Sequence, residues 1–253
     1  MLNIRNITIF YFITLWLFFN TSIFGPLFYW IAVPAYLIIP FLASLFIRAN
    51  LYLKAICKGL KDRNNVVISF NLAEPDKKWS RLGEIIDKHK VPAIFFVTGK
   101  VVEKLPELVA KLADKGSIIG KHSYSASGKF GFYSARRLLT EWHETEELIF
   151  QATGKEVIYF RPPYGITNPA VRKAAEVIGY QVIGWSKRIK ISDNSIADIP
   201  VTGIQNGSII RIDFTGEQIP ESFEKFLVAL QNSFSIVSLD ELINTEIAVQ
   251  KSN

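Results

Sequence analysis

Phe160-Arg161-Pro162-Pro163-Tyr164-Gly165 is the stretch on which the fold turns. It follows a β-like run, Glu156–Tyr159, and precedes a helix that opens at Asn168-Pro169. Pro162 and Pro163 fix φ and supply no backbone N–H, so they end a strand abruptly. Gly165 permits the sharp exit turn. A rigid corner of this kind holds Arg161 and Tyr164 at the C-terminal end of a strand. It is also what any α/β protein uses to turn from strand to helix over a buried arginine, and spacing alone leaves both readings open.

Working outward, apolar runs alternate with helical patterns. Val66–Phe70, Ala93–Val97, Ser117–Gly120, Gln181–Gly184, Ser208–Ile212 and Ile236–Ser238 read as strands. Lys77–Lys90, Leu105–Lys115, Ser134–Ala152, Asn168–Ile178, Pro220–Asn232 and Asp240–Ile247 read as helices. Asn168 serves as N-cap with Pro169 in the first turn, and Gly154 caps the long helix. Strict alternation argues for a parallel sheet with helical crossovers, and about seven such units suggest an α/β barrel.

FRPPYG resembles the third motif of the polysaccharide deacetylase family, the NodB-homology proteins akin to carbohydrate esterase family 4. Val66-Val67-Ile68-Ser69-Phe70 resembles that family's first strand, and Pro92–Gly99 its second. Ile118-Ile119-Gly120-Lys121-His122-Ser123 resembles the approach to its histidine motif, and Gly207-Ser208-Ile209-Ile210 its last site strand. Order and spacing hold from about Val66 to Leu242. The resemblance implies a distorted (β/α) barrel over 66–246 with its site at the C-terminal strand ends. It also implies a glycan partner, an acetylated amino-sugar polymer, and loss of acetyl groups as the reaction.

That chemistry needs a divalent metal held by one Asp and two His, a second Asp as base, an Arg beside the base, and a late His as acid. This chain departs at most of those points. Where the family reads Thr-Phe-Asp-Asp-Gly-Pro, it has Ser69-Phe70-Asn71-Leu72-Ala73-Glu74. Asn71 stands at the base position and Leu72 at the metal carboxylate. In His122-Ser123-Tyr124-Ser125-Ala126 the second histidine has become Ala126, and the late histidine falls at Asp213. One histidine does not hold a catalytic zinc, which keeps three protein ligands. The expectation is therefore no metal cofactor and impaired hydrolysis. His122, Arg161, Pro162, Tyr164 and Trp185 are expected to line a glycan groove. A rearranged site, built from Glu74, Asp76 and Asp213 with His122, is the alternative; a structural or partner-binding envelope protein is a further one. Ser186-Lys187-Arg188 stands where the family often has an Asp buttressing the Arg. Without its usual anion, Arg161 is expected to pair with Asp213 or to lie open to an acidic glycan. His89 and His143 read as surface residues.

The N-terminal fifth is different. No charged residue occurs from Ile7 to Ile47, long enough for two crossings at roughly 20 residues each. Ile7–Phe24 and Leu27–Ile47 are read as a transmembrane hairpin broken near Gly25-Pro26, with Pro34 and Pro40 kinking its second arm. The apolar run is too long for a signal peptide and no cleavage site follows it. The organisation expected is an anchor over 1–50, a juxtamembrane linker over 51–65, the domain over 66–246 and a tail over 247–253, in the membrane of a bacterial-type cell envelope. Arg48, Lys54, Lys58, Lys61 and Arg63 favour a cytoplasmic flank by the positive-inside rule, whereas the family resemblance implies the glycan-bearing face. The net charge of +6 comes from dispersed Lys and Arg with no nucleic-acid motif beside them. A single cysteine, Cys57, excludes an internal disulfide.

Overall fold

The computed structural model describes residues 40–61, 63–192 and 199–244, with scattered positions between 8 and 38. The hairpin expected over 7–47 falls mostly outside that range, as does the tail. Among the described residues no helix is long and apolar enough to cross a membrane.

The core is one curled sheet. Its strands are β1 (Ala55–Ile56), β2 (Asn65–Leu72), β3 (Ala93–Val97), β4 (Ile118–Lys121), β5 (Tyr159–Phe160), β6 (Gln181–Ile183), β7 (Lys187–Ser192), β8 (Ile209–Thr215) and β9 (Ser235–Ile236). They lie in the order β1-β6-β5-β4-β3-β2-β8-β7, with β9 also on β2, and the ladders between them are parallel. Although β6 and β7 sit near opposite edges, only Gly184-Trp185-Ser186 joins them, so the sheet must curl. At the other seam Lys58 bridges Ser208, and Gly59 N–H donates to Gly207 O at 2.8 Å. Gly207 is required there: its φ is +75°, and a Cβ would lie 2.4 Å from Leu60 O.

Around the sheet run α1 (Lys78–Lys88), α2 (Gly99–Lys104), α3 (Pro106–Asp114), α4 (Ala135–Thr153), α5 (Pro169–Ile178) and α6 (Glu221–Ser233). Capping sets their starts. Thr98, Ser134 and Asn168 each accept a backbone N–H of the first turn with a side-chain oxygen. The helix expected over Leu105–Lys115 is α3, with Leu105 at its N-cap and Pro106 in its first turn; α2 is an additional short helix that precedes it. Two strands differ from expectation. β1 arises inside the stretch assigned to the linker, and β7 in Lys187–Ser192, whose burial alternates residue by residue because it is an edge strand.

The alternation along β2 separates two of the apolar clusters. Val66, Ile68, Phe70 and Leu72 face the helices and join Trp79, Leu82, Val97 and Phe223. Val67 faces inward with Ile94, Phe96, Tyr159, Ile183 and Ile209. Ser69 and Asn71 share the inward parity of Val67, so polar side chains are aimed at the C-terminal mouth of the curled sheet.

Candidate functional site

The FRPPYG corner is built as its prolines require. β5 ends at Phe160, and Pro163–Gly165 form one 3-10 turn before Asn168 caps α5. Tyr164 holds φ 58°, a left-handed conformation that L-residues rarely adopt. Gly165 has φ +75°, and a Cβ there would come within 2.7 Å of Trp185 Cη2, so Trp185 lies directly on its backbone. Tyr164 OH donates to Ala126 O at 2.9 Å, tying this corner to the loop after β4. That loop is strained too, with Ser123 at φ 65° and Ala126 at φ 42°. Strain concentrated around one mouth is typical of functional sites.

At the centre lies Arg161, with no accessible surface. Its Nη1 donates to Asn71 Oδ1 and to Ser69 Oγ, both at 3.0 Å. Its Nε donates to Ile183 O at 3.2 Å and its Nη2 to Gly184 O at 2.9 Å. The guanidinium stacks over Phe96 at 4.0 Å and lies 5.6 Å from the Trp185 ring. These acceptors are neutral. Burial, and then the charge of Arg211, push the Arg161 pKa down.

The expected Arg161–Asp213 pair does not form. Asp213 is taken by two other cations, Arg211 Nε at 2.7 Å and Arg188 Nε at 2.5 Å. The register explains this: Arg211 sits two residues before Asp213 on the same inward face of β8, and Arg188 comes from neighbouring β7. Arg211 also lies over the other side of the site, 4.7 Å from the Trp185 ring. Nor is Arg161 an open cation for an acidic glycan, since it has no exposed atoms.

His122 continues β4, with its backbone N–H on Val97 O. Its Nδ1 lies 2.7 Å from Arg161 O, a carbonyl that can only accept, so Nδ1 carries the proton and Nε2 presents a lone pair. Asn71 Nδ2 faces Nε2 at 3.5 Å. Burial, followed by the charges of Arg161 and Arg211, pushes the His122 pKa down to about 3 against the bond to Arg161 O. The imidazole is neutral at physiological pH.

Asn71 thus does two things an aspartate could not do together. Its amide oxygen accepts from Arg161, and its amide N–H points at the lone pair a metal would otherwise take. The remaining donor positions do not fit a metal either. Leu72 turns outward into the helix-facing core, Ala126 offers no ligand, and among the described residues no three His, Cys, Asp or Glu side chains converge on one point. The carboxylates of the rearranged-site reading are dispersed. Glu74 is exposed and 3.8 Å from Lys100, and Asp76 accepts Lys78 N–H at 2.9 Å where α1 begins. His89 contacts Glu224 at 3.3 Å, beside α6 and away from the mouth.

Of the residues expected to line a glycan groove, His122, Arg161 and Pro162 are buried, whereas Tyr164 is 58% exposed and Trp185 half-buried; Asn71, at the expected base position, is half-buried too. Ser69 and Arg211 belong to the same constellation. Their signal in the sequence is parity: each lies two residues from a position already singled out, on the same face of its strand.

A curled parallel sheet with an arginine and a histidine at its C-terminal mouth defines an α/β fold of the carbohydrate esterase 4 type. Residues 58–183 match the polysaccharide deacetylase family model, and the chain belongs to that family. It is 35% identical over 129 residues to the peptidoglycan-N-acetylmuramic acid deacetylase PdaA of Bacillus subtilis, covering 51% of this chain and 49% of that protein. It therefore spans about half the length of that relative. A family 4 carbohydrate esterase from Bacillus anthracis superposes with a TM-score of 0.65 at 25% identity, covering 81% of this chain and 92% of that one. A CE4 family pseudoenzyme from Bacillus anthracis shares the fold at a TM-score of 0.59 and 21% identity, covering 75% of this chain and 68% of that one.

Proposed function

We propose that this protein is a membrane-anchored polysaccharide deacetylase homologue that binds an acetylated amino-sugar glycan without hydrolysing it. The observation that carries the reading is the closed network Arg161–Asn71–His122. The donor and acceptor groups that would position a metal and its water are spent on one another. An amide has no proton-accepting capacity near neutral pH, so Asn71 cannot act as general base. His122, alone and neutral, cannot assemble the three-ligand site that activates water. What remains at the surface is an aromatic and polar floor, with Tyr164 and Trp185 above fixed hydrogen-bonding groups, which suits recognition of a sugar face. The anchor reading is supported by the charge-free stretch from Ile7 to Ile47 and places the protein in a bacterial-type envelope membrane.

Acetate release from acetylated peptidoglycan and from chitooligosaccharides, with and without added zinc, tests the catalytic half. Release at background level is expected, alongside saturable retention of the protein on the insoluble glycan. Chelator-sensitive acetate release by the wild-type chain would overturn the reading.

A further inference from the structure

Helical residues 40–44 end the charge-free stretch, and they dock on the same rim that carries the site. Thr167 N–H, in the segment after the FRPPYG corner, donates to Ser44 O at 2.8 Å. Ile47 is buried beneath, against Gly184 and the cluster containing Phe130 and Tyr133. Arg48 Nε donates to Trp185 O at 2.8 Å. Because the strands run parallel, the loops that follow β4 and β5 leave from the C-terminal mouth. These are the loops the N-terminal segment touches. A groove of about 460 Å³ between them is lined by Pro40, Phe41, Leu45, Phe132 and Ile166, among others.

The outer side of this rim is apolar and exposed. Phe132 is 87% exposed, Phe46 65% and Phe41 59%, with Leu42 and Leu45 beside them. Asn168 Nδ2 holds the Phe132 loop in place through Gly131 O at 2.8 Å. Exposed cations, Arg48 and Lys129, flank the patch. A ring of apolar side chains edged by cations, continuous with a stretch of chain that carries no charge, has the chemistry of a surface set against anionic lipid headgroups.

We infer that the mouth of the sheet faces a lipid bilayer, with Phe132 and residues 41–46 at the interface, so that the site receives a saccharide tethered to the membrane rather than a strand of distant wall polymer. This rests on the anchored, glycan-binding reading above. Had the charge-free stretch met the opposite end of the sheet, the mouth would face away from the membrane.

The test uses the full chain with Cys57→Ser, carrying either Phe132→Cys or Phe150→Cys labelled with a fluorophore. Both positions are exposed, so neither substitution disturbs the core. Phe132 precedes α4 and Phe150 lies in its last turn, so the rise of the helix puts them roughly 25 Å apart. The chain is reconstituted in phosphatidylglycerol–phosphatidylcholine vesicles bearing a spin label on the acyl chain. The expected result is flotation with the vesicles, loss of most emission at position 132 to the lipid-borne quencher, and little loss at 150. Flotation with equal, weak quenching at both positions overturns the inference and leaves the anchor standing. Failure to float removes the anchor and the inference with it.

Discussion

At the scale of single residues, one amide changes what the site is. Asn71 lies between Arg161 at 3.0 Å and His122 at 3.5 Å, and its neutral, two-ended polarity satisfies both. The neutrality of His122 has a measurable consequence. Its folded pKa is depressed to about 3, so between that value and the ordinary pKa near 6.5 the unfolded chain binds the extra proton. Stability contributed by the neutral imidazole is intact above pH 6.5 and is lost as pH falls through this window, at up to about 1.4 kcal/mol per pH unit. Denaturant unfolding of wild type and His122→Gln across pH 4–7 should show the steeper acid loss in wild type. Parallel pH curves would mean that the imidazole is not held neutral by the fold. Asn71→Asp asks the converse question. A carboxylate so close to Nε2 should raise the His122 pKa, which a ring-nitrogen NMR titration reads directly, and an unchanged or lower value would contradict the geometry described here.

At the scale of elements, the alternation of β2 decides which positions belong to the mouth. Leu72 is the instructive residue. Motif alignment put it at the metal carboxylate, and the strand puts its side chain in the helix-facing core with no exposed surface. Leu72→Asp should therefore cost on the order of 3–5 kcal/mol through lost apolar contact and a buried charge, read as a fall in the urea midpoint. A loss under about 1 kcal/mol would show that residue 72 can turn toward the mouth. Gly165 carries a second element-level prediction. Gly165→Ala combines a positive φ with a 2.7 Å approach to Trp185, so a loss of roughly 1–3 kcal/mol and a shifted Trp fluorescence are expected. An unchanged midpoint and spectrum would argue that the corner is soft. Much of this was legible beforehand. The FRPPYG corner, the caps at Asn168 and Gly154, and the alternation of strands and helices are local signals, and local signals survive in a single sequence. What was not legible is long-range. Pairing of Asp213 with Arg188 and Arg211 depends on the register of β7 against β8, and β7 itself is an edge strand with basic residues on its exposed face. The two residues of β1 carry too little pattern to be seen without their partner β6.

At the scale of the whole molecule, the scaffold is that of the family, while the side chains at its mouth are bonded to one another. The curled sheet brings the ends of β2, β4, β5 and β8 together as in a family 4 carbohydrate esterase, and the chain belongs to the polysaccharide deacetylase family. Arg161 ties two strand ends of that mouth together, bonding Ser69 and Asn71 on β2 and Ile183 and Gly184 at the end of β6. A group so engaged holds the floor in one conformation, which suits binding through shape more than a reaction that must move protons. Whether the scaffold has given up its metal is tested most directly by titrating zinc while watching the His122 ring nitrogens by NMR. His89 and His143 can be replaced by Gln to remove weak surface binding. The expected result is no saturable shift at Nε2 and no metal retained by the purified protein. A one-to-one, saturable shift of the Nε2 resonance would contradict it, because Nε2 would then be a ligand and the amide of Asn71 would have been displaced.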